Sequence, residues 1–204
     1  MEVPPAATVG PIPSYADVDA MVPDCQACQR CKLAATRRHA AVYRGSPRAR
    51  LLLIGEGPGE QEDRQGKPFV GPAGQLLDRI LASVALDPAA DVFITNVVKC
   101  RPPGNRVPEP DEIAACRPFL LEQLRLVDPA LVVFVGGTAF KGCTGESQGI
   151  TRVRGSWGRW EGRPATAIFH PSYLLRNDAR ERGSPKWLTW QDMKAIKARL
   201  DAQA

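Results

Sequence analysis

Long apolar runs are missing from this chain of 204 residues. The longest, Ala130 to Val135 leading into Gly136 and Gly137, falls far short of the ~20 residues that span a bilayer, so no membrane segment is expected. No secretory leader is expected either, because Met1-Glu2-Val3-Pro4-Pro5 puts an acid and two prolines where positive charge and then an apolar run are required. Disulfides are not expected: six cysteines lie far below the roughly 8–10% of a disulfide scaffold. Thiols kept in a reducing cytosol serve instead as metal ligands or nucleophiles. The phosphate-cradling orders GxGxxG and GxxxxGK do not occur, which disfavours nucleotide binding.

What is present is an ordinary globular composition, 44% hydrophobic and 24% charged, in a length suited to one domain. Lys plus Arg exceed Asp plus Glu by 27 to 22, a net charge of +5 that is compatible with a polyanionic partner. The cations gather in two loops, Lys99, Arg101 and Arg106 in one and Arg176, Arg180 and Arg182 in the other. Residues 1–22 hold four prolines and no apolar periodicity, and read as a flexible tail ahead of one domain over residues 23–204.

Short apolar runs at Arg50 to Gly55, Val92 to Val98, Leu131 to Gly136 and Ala165 to Phe169 predict four buried strands. Between them, Ala73 to Leu86 and Asp111 to Val127 carry the three-and-four spacing of helices that lie on a sheet, and Pro185 to Leu200 predicts a last helix. This alternation predicts an α/β three-layer sandwich, a central four-stranded mostly parallel sheet flanked by helices, with ligands beyond the carboxyl ends of the strands.

Cys28 and Cys31 are two residues apart, and Cys100 and Cys116 form a second candidate pair. Four thiolates suit zinc or an iron-sulfur cluster, and spacing does not choose between them. Cys25 makes the register of the first pair ambiguous, and Cys143 reads as a small core or loop thiol. After the first strand comes Gly55-Glu56-Gly57-Pro58-Gly59-Glu60-Gln61-Glu62-Asp63, read as a loop whose glycines let a ligand approach backbone amides and whose carboxylates can position a water. Phe69, Asn96 and His170 fall on the same predicted rim. An aromatic to stack, an amide to read an edge and an imidazole to meet negative charge suit an extruded base, although each has an ordinary structural role as well.

The segments GEGPGEQEDRQGKPFVGPAGQLLD, ITNVVKCRPPGNRVPEPDEIAAC and HPSYLLR together resemble the uracil-DNA glycosylase superfamily, and within it family four, the iron-sulfur branch of bacteria and archaea. The resemblance implies removal of uracil from DNA and a [4Fe-4S] cluster held by Cys28, Cys31, Cys100 and Cys116, with Cys25 and Cys143 outside the pattern. It implies that Phe69 stacks on uracil, that Asn96 reads its O4 and N3 edge, and that His170 sits near O2. Glu56 and Gly57 shape the water side of the pocket, with Glu62 as another candidate base, and Glu62 and Asp63 lie near the C5 edge of the base or help order that loop. Gly57 stands where the wider superfamily has a water-positioning aspartate, so the general base stays open. Lys99, Arg101, Arg106, Ser172 and Arg176 are expected on the DNA, with Leu174 or Leu175 filling the gap left by the flipped nucleotide. The expected partners are single- and double-stranded uracil-containing DNA, for a monomer in a prokaryotic, nucleoid-associated cytoplasm. Rival readings are a wider range of deaminated bases, such as hypoxanthine or xanthine, and a non-catalytic iron-sulfur DNA binder.

Overall fold

The computed structural model describes residues 10–203. Its strands are β1 (Arg44–Gly45), β2 (Leu51–Gly55), β3 (Val92–Asn96), β4 (Leu131–Val135), β5 (Gly158–Trp160) and β6 (Arg163–Ile168). Its α-helices are α1 (Val18–Ala27), α2 (Glu60–Gln65), α3 (Pro72–Ala82), α4 (Pro110–Val127), α5 (Gly137–Thr144), α6 (Ile150–Val153), α7 (Pro171–Arg176) and α8 (Pro185–Asp201). None of these helices is long and apolar enough to cross a membrane.

The strands form one sheet in the order β1-β3-β2-β4-β6-β5. The four expected from apolar runs are its parallel centre. Two antiparallel edge strands raise the expected count of four to six. Neither announces itself in sequence: β1 has two residues, and two of the three residues of β5 are exposed.

Every residue of β2, β3 and β4 is buried, as covering on both faces of a parallel sheet requires. Their side chains alternate between two cores. Leu52, Ile54, Phe93, Val132 and Phe134 join Met21 of α1 and Phe119, Leu120 and Leu124 of α4. Leu51, Leu53, Ile94 and Val133 join Leu77 and Leu81 of α3 and Met193 and Ile196 of α8. A sheet between two helical layers results.

Local chemistry sets the helix ends that matter for the site. Pro110 occupies the first turn of α4, Glu112 accepts the Glu109 N–H at 2.7 Å, and Asp128 closes the helix in the left-handed region with φ 48°. Asp17 caps α1 by accepting from Ala20 N, and Val18 and Met21 are buried, so ordered helix begins inside the stretch read as a tail. Residues 1–9 of that stretch lie outside the described residues. The segment read as a loop through Asp63 also contains a helix, α2. The Glu62 carboxylate accepts the Gly59 N–H at 3.1 Å and completes its first turn.

Candidate active site and cysteine site

Register brings the chemistry together. Gly55 of β2 lies beside Asn96 of β3, and Val135 of β4 beside Ile168 of β6, so the carboxyl ends of the four parallel strands share one rim. The residues that leave those ends line a cleft of about 490 Å³: Glu56 and Gly57 after β2, Gly136 to Thr138 after β4, and His170 after β6, with Asn96 and Phe69.

His170 caps α7, and its Nδ1 accepts the Ser172 backbone N–H at 3.1 Å and lies 2.8 Å from the Ser172 hydroxyl. A backbone N–H can only donate, so Nδ1 carries no proton and Nε2–H is left as a donor for the cleft. Burial first, and the Arg176 cation second, push His170 down to about 4. At neutral pH the ring is an uncharged donor.

Asn96 is 1% exposed, and its Oδ1 is buried with no hydrogen-bond partner among the described residues. Leaving such an acceptor unpaired costs about 1–3 kcal/mol, which a donor on a bound base recovers. Space for that amide depends on Gly55, where a Cβ would fall 2.4 Å from Asn96 Oδ1 and 2.5 Å from the Phe69 ring. Phe69 itself holds φ 55°, a strained backbone for a bulky residue. Its chain is clamped by α3, since a Cβ on Gly74 would fall 1.7 Å from the Phe69 carbonyl oxygen. The Phe69 and His170 ring centroids are 5.8 Å apart, which leaves an aromatic wall beside the imidazole.

The three carboxylates proposed from sequence separate. Glu56 lines the cleft, and burial raises its carboxyl above the ordinary value of 4.5, opposed by a hydrogen bond from Thr138. Glu62 also lines the cleft, but its Oε1 accepts the N–H groups of Val70 (2.9 Å) and Gly71 (2.8 Å) and its Oε2 that of Gly59, so it ties loops together. Asp63 faces away from the cleft: it is 3% exposed and its Oδ1 accepts the Arg38 N–H at 2.9 Å, which corrects the expectation that it meets the base.

Two expected DNA contacts are corrected in the same way. Lys99 is 2% exposed and cannot reach a phosphate, because its ammonium turns inward to the Asn96 carbonyl. Leu174 is 1% exposed and belongs to the packed side of α7, whereas Leu175 is 44% exposed. Arg106, Ser172 and Arg176 line the cleft. Arg106 is forked onto Glu112 at 2.8 and 2.6 Å, and Arg101 Nε donates to Asn105 Oδ1 at 2.7 Å. Thr138 and Tyr173 also line the cleft and were missed. The Gly136-Gly137 pair that closes β4 was the available signal for Thr138: Gly136 has φ 98°, and a Cβ there would lie 2.9 Å from His170 Cβ.

The family model described as the Uracil DNA glycosylase superfamily matches residues 42–194. The chain belongs to this superfamily. Among its relatives, the type-4 uracil-DNA glycosylase of Thermotoga maritima is 46% identical over 156 residues, 76% of this chain and 81% of the relative. That of Saccharolobus solfataricus is 40% identical over 182 residues, 81% and 84% of the two chains. That of Sulfurisphaera tokodaii is 43% identical over 150 residues, 72% and 68%.

This superfamily member has a second cavity on the α1 and α4 side of the sheet, lined by Cys28, Cys31, Cys100 and Cys116 and also by Cys25. Cys25, set aside in sequence, therefore faces the same space; Cys143 does not line it and is buried against Trp160, whose indole N–H donates to the Cys143 carbonyl at 3.0 Å. No three His, Cys, Asp or Glu side chains of the described residues form a ready single-ion site. Two donors nonetheless point at sulfur. Lys99 N–H points at Cys116 Sγ (3.3 Å) and Arg37 Nη1 at Cys100 Sγ (3.7 Å). Burial pushes the Cys100 thiol up to about 12 and raises Cys25, Cys31 and Cys116, with the Lys99 or Arg37 cation opposing at Cys25, Cys100 and Cys116. Buried thiols so raised ionise readily only with further positive charge among them, which a bound metal supplies. The donor set fits such a group.

Proposed function

We propose that this chain is a DNA repair enzyme that extrudes uracil from DNA and hydrolyses its N-glycosidic bond, leaving an abasic site. The observation that carries the reading is the convergence of Asn96, Phe69 and a neutral His170 with its Nε2–H free on one cleft at the carboxyl ends of the parallel strands. The names of the type-4 relatives support it.

Uracil offers an N3–H donor and an O4 acceptor, which match the two ends of the Asn96 carboxamide, while cytosine reverses both and leaves that amide opposed. Phe69 provides the stacking face. As the bond from the sugar C1′ to uracil N1 breaks, its electron pair leaves with the base and negative charge builds on O2. The Nε2–H of His170 meets it in this reading, and one such donor contributes about 2.7–4 kcal/mol. A water adds to C1′ and its proton passes toward Glu56, while Glu62 keeps the glycine turn and the Phe69 loop in register. Arg176 and Ser172 sit where flanking phosphates approach, and exposed Leu175 occupies the gap left by the base. Single- and double-stranded DNA both meet these requirements, and a monomer in the cytoplasm suffices.

Cys28, Cys31, Cys100 and Cys116 would hold a [4Fe-4S] cluster, which fastens the segment around α1 to α4 and to the loop after β3. The test is release of free uracil, without added divalent metal, from an oligonucleotide panel carrying uracil, hypoxanthine, xanthine or cytosine, together with iron and sulfide analysis. Uracil release with iron and sulfide in equal amounts is expected. DNA binding without base release refutes the enzyme, and zinc without sulfide refutes the cluster.

A further inference from the structure

Lys99 sits between the two cavities. Its side chain is 2% exposed, it lines the cysteine cavity, and no carboxylate of the described residues pairs with its ammonium. A buried cation without a counter-charge is costly, so the absence of an acid calls for negative charge from elsewhere. Four thiolates around an iron-sulfur core supply it. The backbone of Lys99 is held at both ends, its N–H on Cys116 Sγ at 3.3 Å and its carbonyl accepting from Ala41 N at 2.7 Å. Its Nζ donates to the Asn96 backbone carbonyl at 2.6 Å. That carbonyl belongs to the last residue of β3, whose side chain enters the base pocket.

We propose that Lys99 is a positioning residue that couples the two sites: its ammonium is the counter-charge of the occupied cysteine site, and its hydrogen bond fixes the strand end from which Asn96 reads the base. The inference rests on reading the cleft as a uracil pocket and the cysteines as cluster ligands. It explains why a lysine in a basic loop is turned away from solvent. It also divides the residue's work into a charge, felt by the cluster, and a donor, felt by Asn96.

The experiment compares wild type, Lys99→Met and Lys99→Gln as cluster-loaded proteins. It reads the midpoint potential of the cluster, the affinity for DNA containing an abasic site, and kcat/KM for uracil release. Removing a neighbouring cation makes electron addition harder, so both variants are expected to shift the potential to more negative values. Lys99→Met, which removes the donor as well, is expected to lose about tenfold in kcat/KM at unchanged DNA affinity. Lys99→Gln keeps a donor and is expected to lose less. A wild-type potential in both variants overturns the counter-charge, and a potential shift without any loss in kcat/KM overturns the coupling. Should Lys99→Met fail to fold, the donor-free Lys99→Ala takes its place in the kcat/KM comparison, while the potential of Lys99→Gln alone decides the counter-charge. Failure of the functional reading is separate, because it appears in the wild type alone as absence of uracil release.

Discussion

His170→Asn isolates the charge-stabilising step from the fold around it. His170 does two things in the structure: it caps α7 by accepting the Ser172 N–H, and it leaves Nε2–H for the cleft. Alanine removes both, and loss of the cap alone costs about 1 kcal/mol and loosens the helix that carries Leu175 and Arg176. Asparagine is among the best capping residues, so it keeps the helix end while its shorter side chain cannot reach the leaving base. Loss of one preorganised donor of about 2.7–4 kcal/mol corresponds to roughly 10²–10³ in kcat. Single-turnover release from a labelled uracil oligonucleotide, with alkaline cleavage of the abasic product, measures the chemical step, and fluorescence anisotropy measures DNA affinity. Turnover is expected to fall by that factor while affinity changes by less than about threefold. The pH profile supplies a second check. Burial and Arg176 hold His170 near 4 instead of 6.5, so the ring stays neutral above that value and no acid limb near 6.5 is expected from it. Equal losses in affinity and turnover, or a wild-type limb near 6.5 that vanishes in His170→Asn, would refute this role.

The two leucines of α7 are expected to separate cleanly. Leu174→Ala, at a buried site, should lower stability by about 2–5 kcal/mol in chemical denaturation. Leu175→Ala should melt as the wild type does yet slow excision from duplex more than from single-stranded DNA. Glu62→Gln removes the charge from three backbone hydrogen bonds and should cost about 1–3 kcal/mol of stability, read as a lower urea midpoint, together with a raised KM as the Phe69 loop slackens. Arg176→Ala should weaken DNA binding and reduce the slope of log K against log salt by about 0.9; an unchanged slope would remove Arg176 from the phosphate contacts.

The parallel centre of the sheet was legible because its strands are fully buried and therefore uninterrupted in apolarity. The edge strands were not, since a two-residue strand carries no pattern and Arg159 of β5 points to solvent. Helix α2 was hidden by its context: three glycines and a proline precede it, and its stabilising contacts are backbone N–H groups gathered by Glu62 from eight and nine residues away. Within the cleft, Phe69, Asn96 and His170 were legible because function confines them to strand ends and their flanking loops, whereas side-chain direction was not. Lys99 and Arg106 look alike in a basic loop, yet one is buried and the other lines the cleft. Leu174 and Leu175 are likewise neighbours that one helical step, about 100°, sends to different faces.

Gly57 stands where the resemblance leads one to expect a water-positioning aspartate, and the wall of the cleft leaves little room for one. A Cβ at Gly57 would lie 2.8 Å from Val98 Cγ2, so any side chain there collides with the exit of β3. Of the other carboxylates at the cleft, Glu62 is committed to backbone N–H groups through both oxygens. Glu56 is left for the water side, and its burial makes it a stronger proton acceptor than an exposed glutamate. Burial thus acts on the two groups of the proposed mechanism in opposite senses, lowering His170 and raising Glu56. On the proposed reading, the departing uracil meets a His170 ring that is a neutral donor at neutral pH, whose strength comes from fixed orientation, while the Glu56 carboxyl serves the water side. On that reading the polarity of the cleft arises from desolvation and orientation, and no ion pair of the described residues joins Glu56 to His170.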